Sequence, residues 1–276
     1  MAAANVPADQ TPVVPHGLGG RLRWGLSDTL VIAKRSLRRV PRSPELLLGF
    51  TIQPVMFVLL FRYVFGGAIS TPGVSYVDFL VPGILVQSIA FGSTVTGVGI
   101  ADDLQKGLTD RFRSLPMARS AVLAGRTVAD IATNWFQLAV MICVGYIVGF
   151  RFSTSVPEVI GGLALLTLVG FAFSWVSAVI AMGVSTVEAA QQASFIWLFP
   201  LTFVSSAFVP PDTMPEPLKT FASDINPFSL WVDSLRHLFV GTPIDNQLWL
   251  GLLWVVALLV VFAPLAVWRY RRVATR

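Results

Sequence analysis

Asp102-Asp103 looks like the opening of an Asp-Asp-x-x-Asp magnesium site, in which three carboxylates share one hard cation. The third position is Lys106, whose charge would repel the metal. The three lysines of the chain, Lys34, Lys106 and Lys219, follow Ala33, Gln105 and Leu218, so none closes a Gly-Lys-Ser/Thr loop that cradles phosphates. An ATP site of that type is excluded. His16 and His237 lie far apart in the chain and suggest neither a zinc cluster nor a His-based dyad, and the single cysteine, Cys143, sits in an apolar run. Gly183-Val-Ser185 is followed by Thr186 rather than the glycine of an intramembrane serine protease. A membrane-embedded enzyme acting on lipid is the alternative reading, and it lacks a catalytic constellation. The expectation is a chain that binds no cofactor and is not an enzyme.

Composition explains why so little chemistry is present. The 276 residues are 54% hydrophobic and only 13% charged, with a mean hydropathy of +0.71, whereas soluble domains are about one quarter charged. A soluble enzyme is excluded. The net charge of +5 in so apolar a chain marks loops held on the cytoplasmic side of a membrane, not a nucleic-acid surface.

Charge-free stretches locate the membrane crossings, because a charge in hydrocarbon is costly. Six occur, at 46–61, 79–101, 131–150, 159–187, 189–211 and 246–268. Five are long enough for a helix to cross; the first is shorter and ends at Arg62, which can snorkel. The uncharged 63–77, rich in glycine, serine and proline, reads as a turn between the first two spans. Lys and Arg concentrate before the first span, between the second and third, and after the sixth. Both termini are therefore expected in the cytoplasm of a multi-pass plasma-membrane protein.

Outside the spans, residues 1–20 read as a disordered cytosolic tail and 21–44 as an interfacial helix. Leu22, Leu26, Leu30, Ala33, Leu37 and Val40 form its apolar stripe, with Lys34, Arg35, Arg38 and Arg39 opposite, facing lipid headgroups. The spans occupy 45–268, and 269–276 form a basic cytosolic tail. Between spans two and three, Asp102, Asp103, Leu104, Leu108, Arg111, Phe112 and Arg113 form a short amphipathic segment suited to docking a soluble partner. A solvated hairpin that only fixes topology is the alternative. On the outer side, Met214, Leu218 and Phe221, then Leu230, Trp231, Leu235, Leu238 and Phe239, make two amphipathic pieces that dip into the interface or cap the bundle, with Asp233 and Arg236 paired on one face. The aromatic residues Phe171, Phe173, Trp175, Phe195, Trp197, Phe199 and Phe203 of spans four and five either face lipid or line a route for a large planar solute.

Several segments, in order, resemble the permease subunits of type-2 ABC exporters: QPVMFVLLFRYVFG at 53–66, DFLVPG at 78–83, DLQKGLTDR at 103–111 closed by Leu115-Pro116, AFVP at 207–210, Met214-Pro215, Asn226-Pro227 and DSLR at 233–236. The likeness is greatest to the daunorubicin/doxorubicin-resistance (DrrB/DrrC) permeases of actinobacteria, in particular mycobacterial DrrC-like members. The resemblance implies an all-α membrane protein of six transmembrane helices. It adds an N-terminal interfacial helix at 24–40, a cytosolic coupling helix at 102–113 and outer-face re-entrant helices before the last span. It also implies two copies of a separate ATP-binding subunit, which hold ATP and magnesium, and a second permease, identical or homologous. The cargo so implied is an amphiphilic drug or a complex lipid such as phthiocerol dimycocerosate. Glutamates often found in the family's coupling connection are replaced here by Asp102, Asp103 and Lys106.

Overall fold

The computed structural model describes residues 44–69, 71, 73–106 and 119–273, with side chains left undescribed at 44–51, 119–130, 132, 271 and 273. The expected tail at 1–20, almost all of the interfacial helix and the stretch from Leu108 to Arg113 lie outside it. All regular structure among the described residues is helical. Helix α1 (Pro44–Leu60) continues into a π-turn (Phe61–Phe65); α2 (Tyr76–Gly92) and α3 (Thr94–Gln105) are two halves of one apolar rod parted at Ser93. Helices α4 (Arg119–Val148), α5 (Val156–Ala181) and α6 (Val187–Phe203) follow. A 3-10 turn (Pro211–Thr213), α7 (Glu216–Thr220) and a second π-turn (Phe221–Ile225) lead to α8 (Pro227–Val240), and then comes α9 (Gln247–Val273).

Among the described residues three stretches are long and apolar enough to cross a bilayer: Tyr76–Gln105, Val156–Ala181 and Gln247–Tyr270. Ile52–Phe65 and Thr133–Val148 are shorter apolar helices. Exposed Trp249 and Trp268 mark the two ends of α9, about 28 Å apart along the axis at 1.5 Å per residue, close to the ~30 Å of a hydrocarbon core. Helix starts follow local chemistry. Ser75 accepts from the Asp78 amide at the head of α2, Thr186 accepts from the Ala189 amide at the head of α6, and the Glu158 carboxylate accepts from the Ser155 amide at the head of α5.

Two expectations are refined. The first apolar helix does not stop at Arg62 but winds on through it to Phe65, and the turn begins at Gly66. The stretch 79–101 lies within one apolar rod, Tyr76–Gln105, whose regular pattern is broken at Ser93 alone, where the backbone stays helical and the Ser93 amide still donates to the Ile89 carbonyl. The Ser93 hydroxyl turns inward, donating to the carbonyls of Ile89 and, across the interface, Gly170. Nothing in the hydropathy pattern marks this break, since glycine, serine and threonine are all tolerated in a span.

The interior divides into two apolar clusters. The larger joins α1, α2, α4, α5, α6, α8 and α9 around Leu80, Ile84, Leu138, Leu166, Trp231 and Phe239. The smaller lies beneath Ser93 and joins Ile100 and Ala101 of α3 to Trp175, Ala178 and Val179 of α5, Ala190 of α6, and Ala266 and Tyr270 of α9. Close backbone approach replaces hydrophobic pressure where glycine permits it. A Cβ on Gly83 would lie 2.8 Å from Ala207 Cα, and one on Gly97 would lie 2.8 Å from the Ser177 carbonyl. Gly83→Ala should therefore force α2 away from the 204–210 segment and cost on the order of 2 kcal/mol. A thermal melt of the detergent-solubilised protein, read by size-exclusion fluorescence, checks this; an unchanged midpoint would contradict the packing.

Candidate functional site

Two ends of the helix bundle carry the features that matter, and they differ in kind. At one end α3 finishes in Ala101-Asp102-Asp103-Leu104-Gln105-Lys106. The Lys106 ammonium donates to the Asp102 carboxylate at 2.7 Å, one helical turn back. The lysine thus occupies the Asp102 carboxylate itself. No cluster of three or more metal-binding side chains occurs among the described residues. The pair itself is exposed and contributes little stability. Asp102, Asp103 and Leu104 are half-buried, with Leu104 packed against the smaller cluster, while Gln105 and Lys106 face outward. Gln105 donates from Nε2 to the Ser185 carbonyl in the α5–α6 turn at 3.3 Å. Leu108, Arg111, Phe112 and Arg113 of the expected coupling helix fall outside the described residues.

At the other end a helix breaks within the protein, and a second helix repairs it. Helix α6 stops at Phe203, and the chain turns through Val204-Ser205-Ser206-Ala207-Phe208 with Ser205 to Phe208 buried. Backbone groups buried in such a turn must find partners. Asn226, Ser229, Asp233 and Arg236, spaced three, four and three along α8, present one polar face to them. Asn226 donates from Nδ2 to the carbonyls of Leu201 and Val204 at 2.7 and 2.5 Å. Ser229 Oγ accepts from the Ser206 amide, and the Ser206 hydroxyl donates to Asp233. Arg236 donates to the Ser206 carbonyl through Nη2 at 2.5 Å, to Phe79 on α2 through Nε at 3.0 Å, and to Asp233 through Nη1 at 2.7 Å.

Arg236 is only 5% exposed, and its guanidinium carbon lies 3.5 Å from the centre of the Phe79 ring. Burial pulls its pKa down to about 10 while Asp233 pulls it back up, so it remains charged at neutral pH. The sequence places Asp233 and Arg236 on one helix face, and they do pair, but as part of a buried knot rather than on a surface. The signal for the knot is the polar stripe 226, 229, 233, 236 on an otherwise apolar helix begun by Asn-Pro; it is visible once α8 is known to pack inward. The Trp231 indole, donating to the Gly251 carbonyl at 2.8 Å, fixes the opposite side of α8 to α9.

The seven aromatic residues named for a solute route separate into distinct groups. Phe171 and Trp175 meet edge to face in the smaller cluster. Phe195 lies against Phe91, and Trp197 stacks on Phe173, whose far side meets Phe228 and Trp231. Phe199 and Phe203 stack at 4.3 Å and belong to a ladder that runs through Phe208 and Phe61 to Phe65. Phe199 and Phe65 are the exposed ends of that ladder. The indole nitrogens of Trp175 and Trp197 are buried with no hydrogen-bond acceptor among the described residues, which costs about 1–3 kcal/mol for each unpaired donor.

A family model described as ABC-2 type transporter matches residues 27–240. The chain is 34% identical over 246 residues to the daunorubicin resistance ABC transporter permease protein DrrB1 of Streptomyces coeruleorubidus, covering 89% of this chain and 87% of that one. It is 24% identical over 255 residues to a doxorubicin resistance ABC transporter permease protein, DrrC, of Mycobacterium tuberculosis, covering 92% of this chain and 91% of the relative. Arg236→Ala should leave the carbonyls of Phe79 and Ser206 and the carboxylate of Asp233 without their donor, at a cost of about 3–5 kcal/mol. Arg236→Lys should recover little, since an ammonium lacks the planar fork that reaches three acceptors. Melting curves of the two variants in detergent test this; a lysine variant as stable as the parent would show that charge alone suffices.

Proposed function

The chain belongs to the ABC-2 type transporter family, and on that premise we propose that it is the membrane half of an ATP-driven exporter of amphiphilic drugs. Such permeases are not themselves enzymes; hydrolysis resides in a separate ATP-binding subunit. The proposal places two copies of that subunit against the end of α3, and a second permease, homologous or identical, beside this one. Six crossings with both termini in the cytoplasm fit the charge distribution. They also fit the bundle, in which α3 and α9 finish at the same end and α2, α6 and α8 meet at the other.

The observation that carries the reading is the combination of a long apolar helix ending in an exposed polar hook at Gln105 and Lys106 with no phosphate-binding loop anywhere in the chain. A moving partner has something to push, and the chain has nothing with which to burn ATP. Binding of the partner's nucleotide would displace the segment from Asp102 to Arg113 and reorient the helices to which α3 is packed.

Drug-resistance relatives suggest planar, oxygen-bearing cargo, and the aromatic surfaces suit it. Stacking on Trp197 or on the Phe199–Phe203 pair accommodates a flat ring system. Ketone or hydroxyl oxygens on the cargo would give the indole N–H groups the acceptors they lack. Transport of a complex lipid such as phthiocerol dimycocerosate is a narrower form of the same proposal, resting on apolar area alone. An enzyme acting on lipid has no residues to support it.

Vesicles containing the chain and its ATP-binding subunit should take up daunorubicin, followed by fluorescence quenching, only with hydrolysable ATP. Replacing Asp103, Arg111 and Phe112 together by Ala should lower uptake by about tenfold or more, the loss expected when one coupling contact worth 1.4 kcal/mol is removed. Uptake that is equally fast without ATP would overturn the proposal. Trp197→Phe keeps the stacked ring and removes the donor, so half-saturating daunorubicin should rise about fivefold, as expected for one hydrogen bond of about 1 kcal/mol. No rise would take Trp197 off the route.

A further inference from the structure

The smaller apolar cluster gives the end of α3 neighbours that the coupling segment by itself does not reveal. Three elements meet there. Ile100, Ala101 and Leu104 of α3 pack with Ala178, Val179, Ala181 and Met182 at the finish of α5, and α5 packs in turn with the stretch of α9 that carries Ala266 and Tyr270. Polar links cross the same junction. Gln105 holds the Ser185 carbonyl from one side. Arg269 reaches back from α9 and donates through Nη1 to the Val179 carbonyl at 3.0 Å from the other.

Val179 belongs to the last turn of α5, whose carbonyls have no partners within the helix. A cation donating there satisfies one of them and complements the negative end of the helix dipole. Gly183 makes room for it: a Cβ at that position would lie 3.0 Å from Arg269 Nη1. Arg269 was expected only as part of a basic tail that sets topology. In the structure it is still within α9 and half-buried against a second helix.

Ser93 separates this cluster from the rest of span two. Above it, α2 is buried in the larger core; below it, α3 belongs to the smaller one. A push on the end of α3 therefore acts first on the elements of the smaller cluster packed against it.

We infer that Arg269 is a positioning residue of the transport cycle: it fastens α9 to the end of α5, so that α3, the α5–α6 turn and the inner end of α9 move as one block when the ATP-binding subunit moves α3. The inference rests on the proposed ATP-driven reading and extends it to a residue outside the coupling segment. Without the Arg269 link, the partner hydrolyses ATP and displaces α3, but α5 and α9 follow less completely.

Arg269→Ala and Arg269→Lys are compared in vesicles with the ATP-binding subunit, measuring ATP hydrolysis and daunorubicin uptake together. Arg269→Ala should keep hydrolysis within about twofold while uptake per ATP falls about tenfold, a coupling loss of about 1.4 kcal/mol. Arg269→Lys, which can still donate to a carbonyl, should recover most of the ratio. Thermal melts and co-purification with the ATP-binding subunit accompany both variants, since a merely structural role would lower stability or partner retention without changing uptake per ATP. A ratio equal to the parent's in Arg269→Ala, or hydrolysis and uptake falling in parallel, overturns the role of Arg269 and leaves the exporter reading intact. Failure of the unmodified pair to take up drug with ATP would defeat the exporter reading itself.

Discussion

A helix that ends inside a membrane protein exposes carbonyls and amides where water is scarce, and the arrangement of this bundle follows from meeting that demand. The break after Phe203 is tolerated because Asn226, Ser229, Asp233 and Arg236 supply the partners. Those four residues can do so only if α8 packs inward, and Gly83 lets α2 approach the same turn closely enough for Phe79 to share the arginine. A buried guanidinium is costly to desolvate, and that cost is offset by three carbonyl or carboxylate acceptors and an aromatic face. The knot thus joins α2, the end of α6 and α8 at one extremity of the bundle. It holds them at a fixed spacing rather than adding much net stability.

The opposite extremity is organised differently. There apolar packing is joined by polar links that include Gln105 to the Ser185 carbonyl and Arg269 to the Val179 carbonyl. Between the two lies Ser93, whose hydroxyl is bonded to the carbonyls of Ile89 and Gly170, so the interruption in span two is capped rather than strained.

Much of this was legible in the chain. Charge-free stretches located the three long apolar helices and two shorter ones, and the spacing of Asp233 and Arg236 placed them on one helix face. The break at Ser93 was not legible, because hydropathy is blind to a residue that turns its hydroxyl onto the backbone. Nor was the burial of Arg236. Three residues from Asp233 on an amphipathic segment, it has the pattern of a surface pair, and only tertiary packing distinguishes that from a buried one. Arg269 was read as topology for the same reason: a cation after an apolar run is usually at the interface, and the acceptor it finds lies ninety residues earlier in the chain. The aromatic residues were found by composition, but their division into distinct groups depends on which helices face each other.

The chain has no fuel site, so any uphill movement it supports must come from a partner that distinguishes between two of its conformations. A partner shifts an equilibrium only by the difference in its interaction with the two states. An exposed pair such as Asp102–Lys106 offers little energy to differentiate with. Position must therefore carry what charge does not. A lever serves if the contact displaces a helix whose other neighbours are firmly attached to it. The smaller cluster packs α3 against α5 and α6, and α5 against α9. Helix α6 in turn carries Trp197 and the Phe199–Phe203 stack up to the Arg236 knot. Under the proposed exporter reading, a displacement at the end of α3 would be passed through this packing to the aromatic surfaces on α6.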